Sequence, residues 1–243
     1  MKQRRVFPYG IDGPPQLAAL LAGAGLTALV AVAALLVEAP SAALLGSTVV
    51  TAVLAGCAAG YAHTTLRGKF VVWRELAEGL ALRGDEYVLD LGCGSGAVVL
   101  LVGRRLTTGR AVGVDLWRLR DQWRSDPGAL RENALAEGLR ERVELLTADM
   151  TALPFADARF DIVVTSMAVH NLRPRGRRRA ALAEAVRVLR PGGRLVMVDI
   201  WVRGRTATLA ELGMRSVERR NLGPRMWWCG PFVRTALVTA VKP

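Results

Sequence analysis

The sequence predicts an α/β domain, a seven-stranded and mostly parallel sheet closed by an antiparallel C-terminal hairpin, preceded by two helices that span a membrane. Three observations predict it. Two runs of 21 residues, 17–37 and 42–62, carry no charge. From residue 85 onward, short apolar runs alternate with helical patterns, which is the signature of a parallel sheet covered on both faces. The first of those runs ends in glycines at alternate positions, Gly92, Gly94 and Gly96.

Each uncharged run reaches roughly 30 Å as a helix, the thickness of a bilayer's hydrocarbon core. Only Glu38, Ala39, Pro40 and Ser41 join them, so the helices run antiparallel. Lys2, Arg4 and Arg5 precede the first and Arg67, Lys69 and Arg74 follow the second, while the short outer loop has no basic residue. The positive-inside rule then expects a two-span membrane protein with both termini cytoplasmic. A signal peptide fits less well, because a second apolar run follows at once. A soluble helical bundle also fits less well, because neither run has a polar face.

Residues 1–63 are therefore expected to form a transmembrane hairpin, 64–84 a linker helix with apolar positions at helical spacing, and 85–243 the sheet domain. Within that domain, strands are expected at 87–91, 111–115, 143–147, 160–166 and 194–200, followed by 216–221 and 233–241. Helices fall between them at 97–106, 127–137, 176–189 and 206–212. If the hairpin is only an anchor, deleting residues 1–62 leaves a soluble domain.

The chain has 243 residues and a formal charge of +12, most of it after residue 84. That excess draws a tethered domain toward an anionic leaflet, or toward nucleic acid. Five of the seven residues 173–179 are arginine, the densest basic patch; a solvated helix start, contact with lipid and contact with nucleic acid all fit it. Cys57, Cys93 and Cys229 are odd in number and widely spaced, which disfavours a disulfide framework and a structural metal.

Val88-Leu-Asp-Leu-Gly-Cys-Gly-Ser-Gly is a buried strand that feeds through a glycine loop into a helix. Such a loop brings backbone N–H groups close to an anionic ligand. The spacing is not the pyrophosphate-binding G-x-G-x-x-G, and Asp90 enters two residues before the first glycine. A nucleoside with a free amino-acid end fits better than a dinucleotide: Asp90 attracts an ammonium, and the loop amides meet a carboxylate. Asp115 closes the next strand, where an acid grips ribose hydroxyls. Asp149 ends the strand after that.

These segments, with Phe160-Asp-Ile-Val-Val-Thr-Ser and Leu189-Arg-Pro-Gly-Gly-Arg-Leu, resemble class I S-adenosylmethionine-dependent methyltransferases over about residues 67–243. The resemblance implies a Rossmann-like sheet and S-adenosyl-L-methionine as cofactor. It also implies that Asp90, Gly92, Cys93, Gly94 and Gly96 hold the methionine part. Asp115 would hold the ribose and Leu116, Asp149 and Met150 the adenine, with Ser166 completing the cofactor-binding set. Arg67-Gly-Lys-Phe, Asp121-Gln122, Ala168-Val-His-Asn and an aromatic-Gly-Pro tail are similar to a membrane-anchored branch of that family (methyltransferase type 11-like).

Methyl transfer needs a general base only when the acceptor arrives protonated. His170 is the candidate, since it follows the fourth strand on the ligand-binding side of such sheets, and Asn171 could orient the acceptor. A structural histidine with one loop hydrogen bond reads the same residues equally well. Trp117, Asp121, Gln122, Trp123, Trp227 and Trp228 are candidates for the acceptor wall. The leading expectation is a membrane-anchored methyltransferase acting on a hydrophobic small-molecule or lipid-like acceptor. The alternatives are a nucleic-acid or protein methyltransferase and a non-catalytic cofactor-binding membrane module. Nucleic acid is disfavoured, because Ser166-Met-Ala-Val-His-Asn stands where many base methylases carry N-P-P-Y.

Overall fold

A computed structural model of the chain describes residues 9–119, 121–123 and 125–243. Lys2, Arg4, Arg5 and Arg124 lie outside the described residues.

Helices α1 (Pro14–Leu36) and α2 (Ser41–His63) form the expected antiparallel pair. Both are long and apolar enough to cross a membrane, and none of the apolar window of α1 is buried inside the protein. Within the pair, Thr51 Oγ1 donates to Thr27 Oγ1 at 2.8 Å, and serine and threonine hydroxyls return to carbonyls one turn back. Thr27, Ser47, Thr48 and Thr51 each have an acceptor in this way, as hydroxyls need where water is scarce.

The linker helix is present as α3 (Lys69–Gly79), and it is continuous with α2. A π-helical turn, Thr64–Gly68, joins the two. Val72, Trp73 and Ala77 of α3 are buried in the core of the sheet domain. Gly68 is where the rod passes the C-terminal loop: a Cβ there would lie 1.8 Å from the Arg225 carbonyl oxygen. Any side chain at this position would push the two segments apart.

Seven strands follow: β1 (Tyr87–Leu91), β2 (Arg110–Asp115), β3 (Val143–Thr147), β4 (Phe160–Ser166), β5 (Leu189–Ile200), β6 (Arg215–Asn221) and β7 (Thr235–Val241). Their spatial order is β3-β2-β1-β4-β5-β7-β6. β1 to β5 are mutually parallel, and β7 runs antiparallel between β5 and β6. The predicted strands are all present; β5 starts earlier than expected because Leu189 already pairs with Phe160.

Helices α4 (Ala97–Gly103), α5 (Pro127–Ala136), α6 (Arg175–Val188) and α7 (Arg205–Glu211) cover the sheet. Asp126 caps α5 by accepting from the Ala129 N–H at 2.8 Å. The central strands are buried on both faces, as parallel strands between two helical layers must be. Val88 packs with α3 and α4 on one side, Leu89 and Leu91 with α6 and α7 on the other. By the two-residue period of a strand, Asp90 shares the face of Val88.

Candidate functional site

The chain order reverses between β1 and β4, which opens a crevice at the carboxyl ends of these strands. A narrow cavity of about 90 Å³ lies there, lined by Gly92, Gly94, Asp115, Leu116, Asp149, Met150 and Ser166, with Asp12 and Asn171. Of the twelve site residues read from the sequence, eight line it. The other four are Asp90, Cys93, Gly96 and His170.

Gly92 has φ +75°, and a Cβ there would meet the Ala168 Cβ at 2.2 Å. Glycine is thus required twice, by backbone conformation and by the approach of the loop after β4. The Ser95 N–H donates to Gln122 Oε1 at 2.8 Å, so a neutral carbonyl oxygen sits where the loop would receive an anion. Gln122 Nε2 in turn donates to Asp12 Oδ1 at 2.7 Å. The Ser95 hydroxyl donates to the Tyr9 carbonyl. The N-terminal segment therefore lies over the glycine loop.

Asp90 lies beneath the loop and is 1% exposed. Among the described residues, neither of its carboxylate oxygens has a hydrogen-bond partner. Burial, then the charge of Asp115, pushes its pKa up to about 8, against the opposing influence of the Val99 amide. An unpaired buried carboxylate costs several kcal/mol unless it is neutralised or given a cation. Cys93 faces the core instead, with its Sγ against Gly113. Burial, ahead of the Asp90 and Asp115 charges, pushes that thiol well above its ordinary range. Gly96 packs on Leu130, so it shapes the loop rather than the cavity.

Asp115 accepts from the Gly94 N–H at 2.9 Å and from the Trp117 N–H at 2.6 Å. Burial raises its pKa despite these bonds. Asp149 is desolvated too, yet hydrogen bonds from Thr151 and the Arg177 guanidinium outweigh that and hold it below the usual carboxylate range. Ser166 Oγ accepts from Trp73 Nε1 at 2.8 Å, which ties α3 to the end of β4.

His170 lines a second, larger cavity that shares Asp12, Arg118, Asp121, Met167 and Asn171 with the first. Its Nδ1 lies 2.7 Å from Asp199 Oδ1, and its backbone N–H donates to Asp199 Oδ2 at 3.1 Å. Asp199 is 1% exposed at its side chain and pairs at 2.9 Å with Arg205. A carboxylate so paired holds Nδ1 protonated, which leaves Nε2 as the basic atom of the ring. Asp199 and Arg205 were not singled out from the sequence; only the position of Asp199 near the end of β5 could have suggested it.

Of the other wall candidates, Asp121 and Trp228 line the larger cavity and Gln122 the smaller. Trp117 instead donates from Nε1 to Thr147 at 2.7 Å. Lys69, read as a juxtamembrane charge, is 4% exposed and pairs with Asp12 at 2.7 Å. It is a buried partner of the N-terminal segment and not a surface charge. Three members of the arginine patch are engaged internally: Arg177 with Asp149, Arg178 with the carbonyls of His170 and Leu172, and Arg179 with Glu211.

Residues 89–197 match the family described as "Methyltransferase domain". The region is 38% identical over 129 residues to a ubiquinone/menaquinone biosynthesis C-methyltransferase of Dinoroseobacter shibae, covering 53% of this chain and 48% of that protein. It is 36% identical over 130 residues to a demethylmenaquinone methyltransferase of Thermus thermophilus, covering 52% and 53%. Residues 89–197 form a methyltransferase domain of the class I, S-adenosylmethionine-dependent type. The chain spans about half the length of the curated relatives it matches. A solved geranyl diphosphate methyltransferase in complex with S-adenosylmethionine shares the methyltransferase fold, with a TM-score of 0.57, 16% identity and coverage of 72% of this chain and 85% of that one.

Proposed function

We propose that this chain is a membrane-anchored S-adenosylmethionine-dependent methyltransferase whose acceptor is a hydrophobic small molecule with a quinol-like head. The observation that carries the donor site is Asp90, a fully buried carboxylate with two unpaired oxygens beneath a glycine loop. The loop amide of Ser95, held by an exchangeable Gln122 oxygen, and Asp115 at the end of β2 complete a set that fits the donor. Asp90 would hold the ammonium and the loop amides the carboxylate. Asp115 would take the ribose hydroxyls, with Leu116, Asp149 and Met150 around the adenine. Cys93 and Gly96 would support the loop from behind.

Bound there, the donor supplies an electrophilic methyl group. The chain's own contribution is to hold the acceptor in line, exclude water and take the acceptor's proton. His170 would accept that proton at Nε2, with Asp199 stabilising the resulting imidazolium through Nδ1. Asn171, which lines both cavities, would orient the acceptor.

The acceptor class is supported by curated relatives named for quinone methylation. The membrane reading is supported by two apolar helices, one of them with no residue buried against the protein. A helix of that composition needs a non-aqueous solvent on its surface. Both termini would face the cytoplasm, where the donor is made. The nucleic-acid reading is weakened where Arg177, Arg178 and Arg179 each have a partner within the chain. Formation of S-adenosylhomocysteine on adding a reduced naphthoquinone to the purified protein tests the proposal; its persistent absence, with donor bound, would favour a non-catalytic module.

A further inference from the structure

The larger cavity, of about 820 Å³, is built from both the hairpin and the sheet domain. We propose that it is the acceptor site and that the first membrane helix forms one of its walls, so that the acceptor enters from the bilayer side. This rests on the methyltransferase reading above and adds a place, a route and a shape for its second substrate.

The volume lies in the range that buries a small-molecule ligand. One end is polar and adjoins the donor crevice through Asp12, Arg118, Asp121 and Asn171, beside His170. The α1 side is apolar, with Ala19 and Leu20 joined by Ile200 and Val233, while the Trp201 ring lies 6.0 Å from that of His170. Between them, Tyr61 at the end of α2 stacks edge-on against Trp228 at 4.9 Å and donates to the Gly13 carbonyl. Leu17 and Leu20 pack on the buried cluster of Tyr61, Ile200 and Trp228, which fixes α1 against the domain. The gradient from ionisable groups to a membrane helix selects an amphiphile: a hydrogen-bonding ring at His170 and a hydrocarbon chain running along α1. A water-soluble acceptor would leave the apolar end without a partner.

The test uses the full chain in lipid nanodiscs and a 1,4-naphthoquinone ring carrying a decyl chain with a terminal diazirine. On illumination, the expected labels map to Ala19 or Leu20. Leu20→Trp and Ala19→Trp should remove the label and lower turnover of the reduced probe at least tenfold. Donor affinity by calorimetry should not change in either. Leu21→Trp, on the exposed side of the same helix, should change neither labelling nor turnover. Labelling confined to lipid-facing residues, or turnover indifferent to both cavity substitutions, would overturn the assignment. Failure of the unsubstituted protein to bind donor would instead overturn the methyltransferase reading, and the labelling pattern would still judge the cavity.

Discussion

The glycine-loop end of the sheet and the face where the hairpin meets the domain are adjacent in space and opposite in how they are encoded. The first is local: a strand, a loop and a helix start within residues 87–103. The second is assembled from distant parts of the chain, such as Thr64 with the Trp227 carbonyl, Asp12 with Gln122 and Lys69, and Tyr61 with Trp228. Local chemistry can diverge little without losing its ligand, whereas an assembled face can change its acceptor by changing any of several segments.

His170→Ala breaks the comparison most sharply, since it touches the assembled side alone. Turnover of an acceptor that arrives protonated should fall roughly 10²–10⁴-fold, the usual range for a general base, with donor affinity unchanged. Steady-state kinetics beside calorimetry check both halves. Next comes Asp12→Ala, which leaves Lys69 buried without its carboxylate. Removing one partner of a buried pair costs about 3–5 kcal/mol, and the partial exposure of Asp12 places this one near the lower figure. A thermal melt in detergent should show it as a clear loss of Tm. For the same reason the domain freed of residues 1–62, expected from the sequence to stand alone, should be less stable than the full chain.

Asp115→Ala acts on the glycine loop from the neighbouring strand, where Asp115 accepts from the Gly94 N–H. Loss of its hydrogen bonds should weaken donor binding roughly 100-fold, about 3 kcal/mol, while circular dichroism stays unchanged. The last effect is spread over several pH units, as a slope. The folded-state pKa of Asp90, about 8, lies above its ordinary value of 3.8, so the folded chain keeps a proton that the unfolded chain releases. This group therefore favours folding fully below pH 3.8, and its contribution declines as pH rises toward 8. Denaturant melts should lose stability across that window, and Asp90→Asn should flatten the slope. At pH 7 donor binding should release a proton, read as a buffer-dependent heat.

The strands and helices of the sheet domain were legible because alternation and apolar runs report burial directly, and all seven strands fall where the pattern puts them. Asp90 and the loop could be read because they sit in consecutive residues, and Asp115 because it closes the next strand. Asp12, Asp199 and Arg205 were not, because each acquires meaning only from a partner that the fold delivers. Cys93 shows the reverse limit: its place in the motif is right, but the turn aims its sulfur at Gly113 and the core.

The Tyr9–Gly13 segment is made before its partners Ser95, Asp121 and Gln122, which follow some hundred residues later. Synthesis at about 5–20 residues per second gives α1 and α2 several seconds to reach the lipid before those partners exist. The crevice thus closes last, and a chain whose hairpin misses the bilayer would leave the ribosome with its donor site uncovered, open to quality-control proteases instead of to substrate.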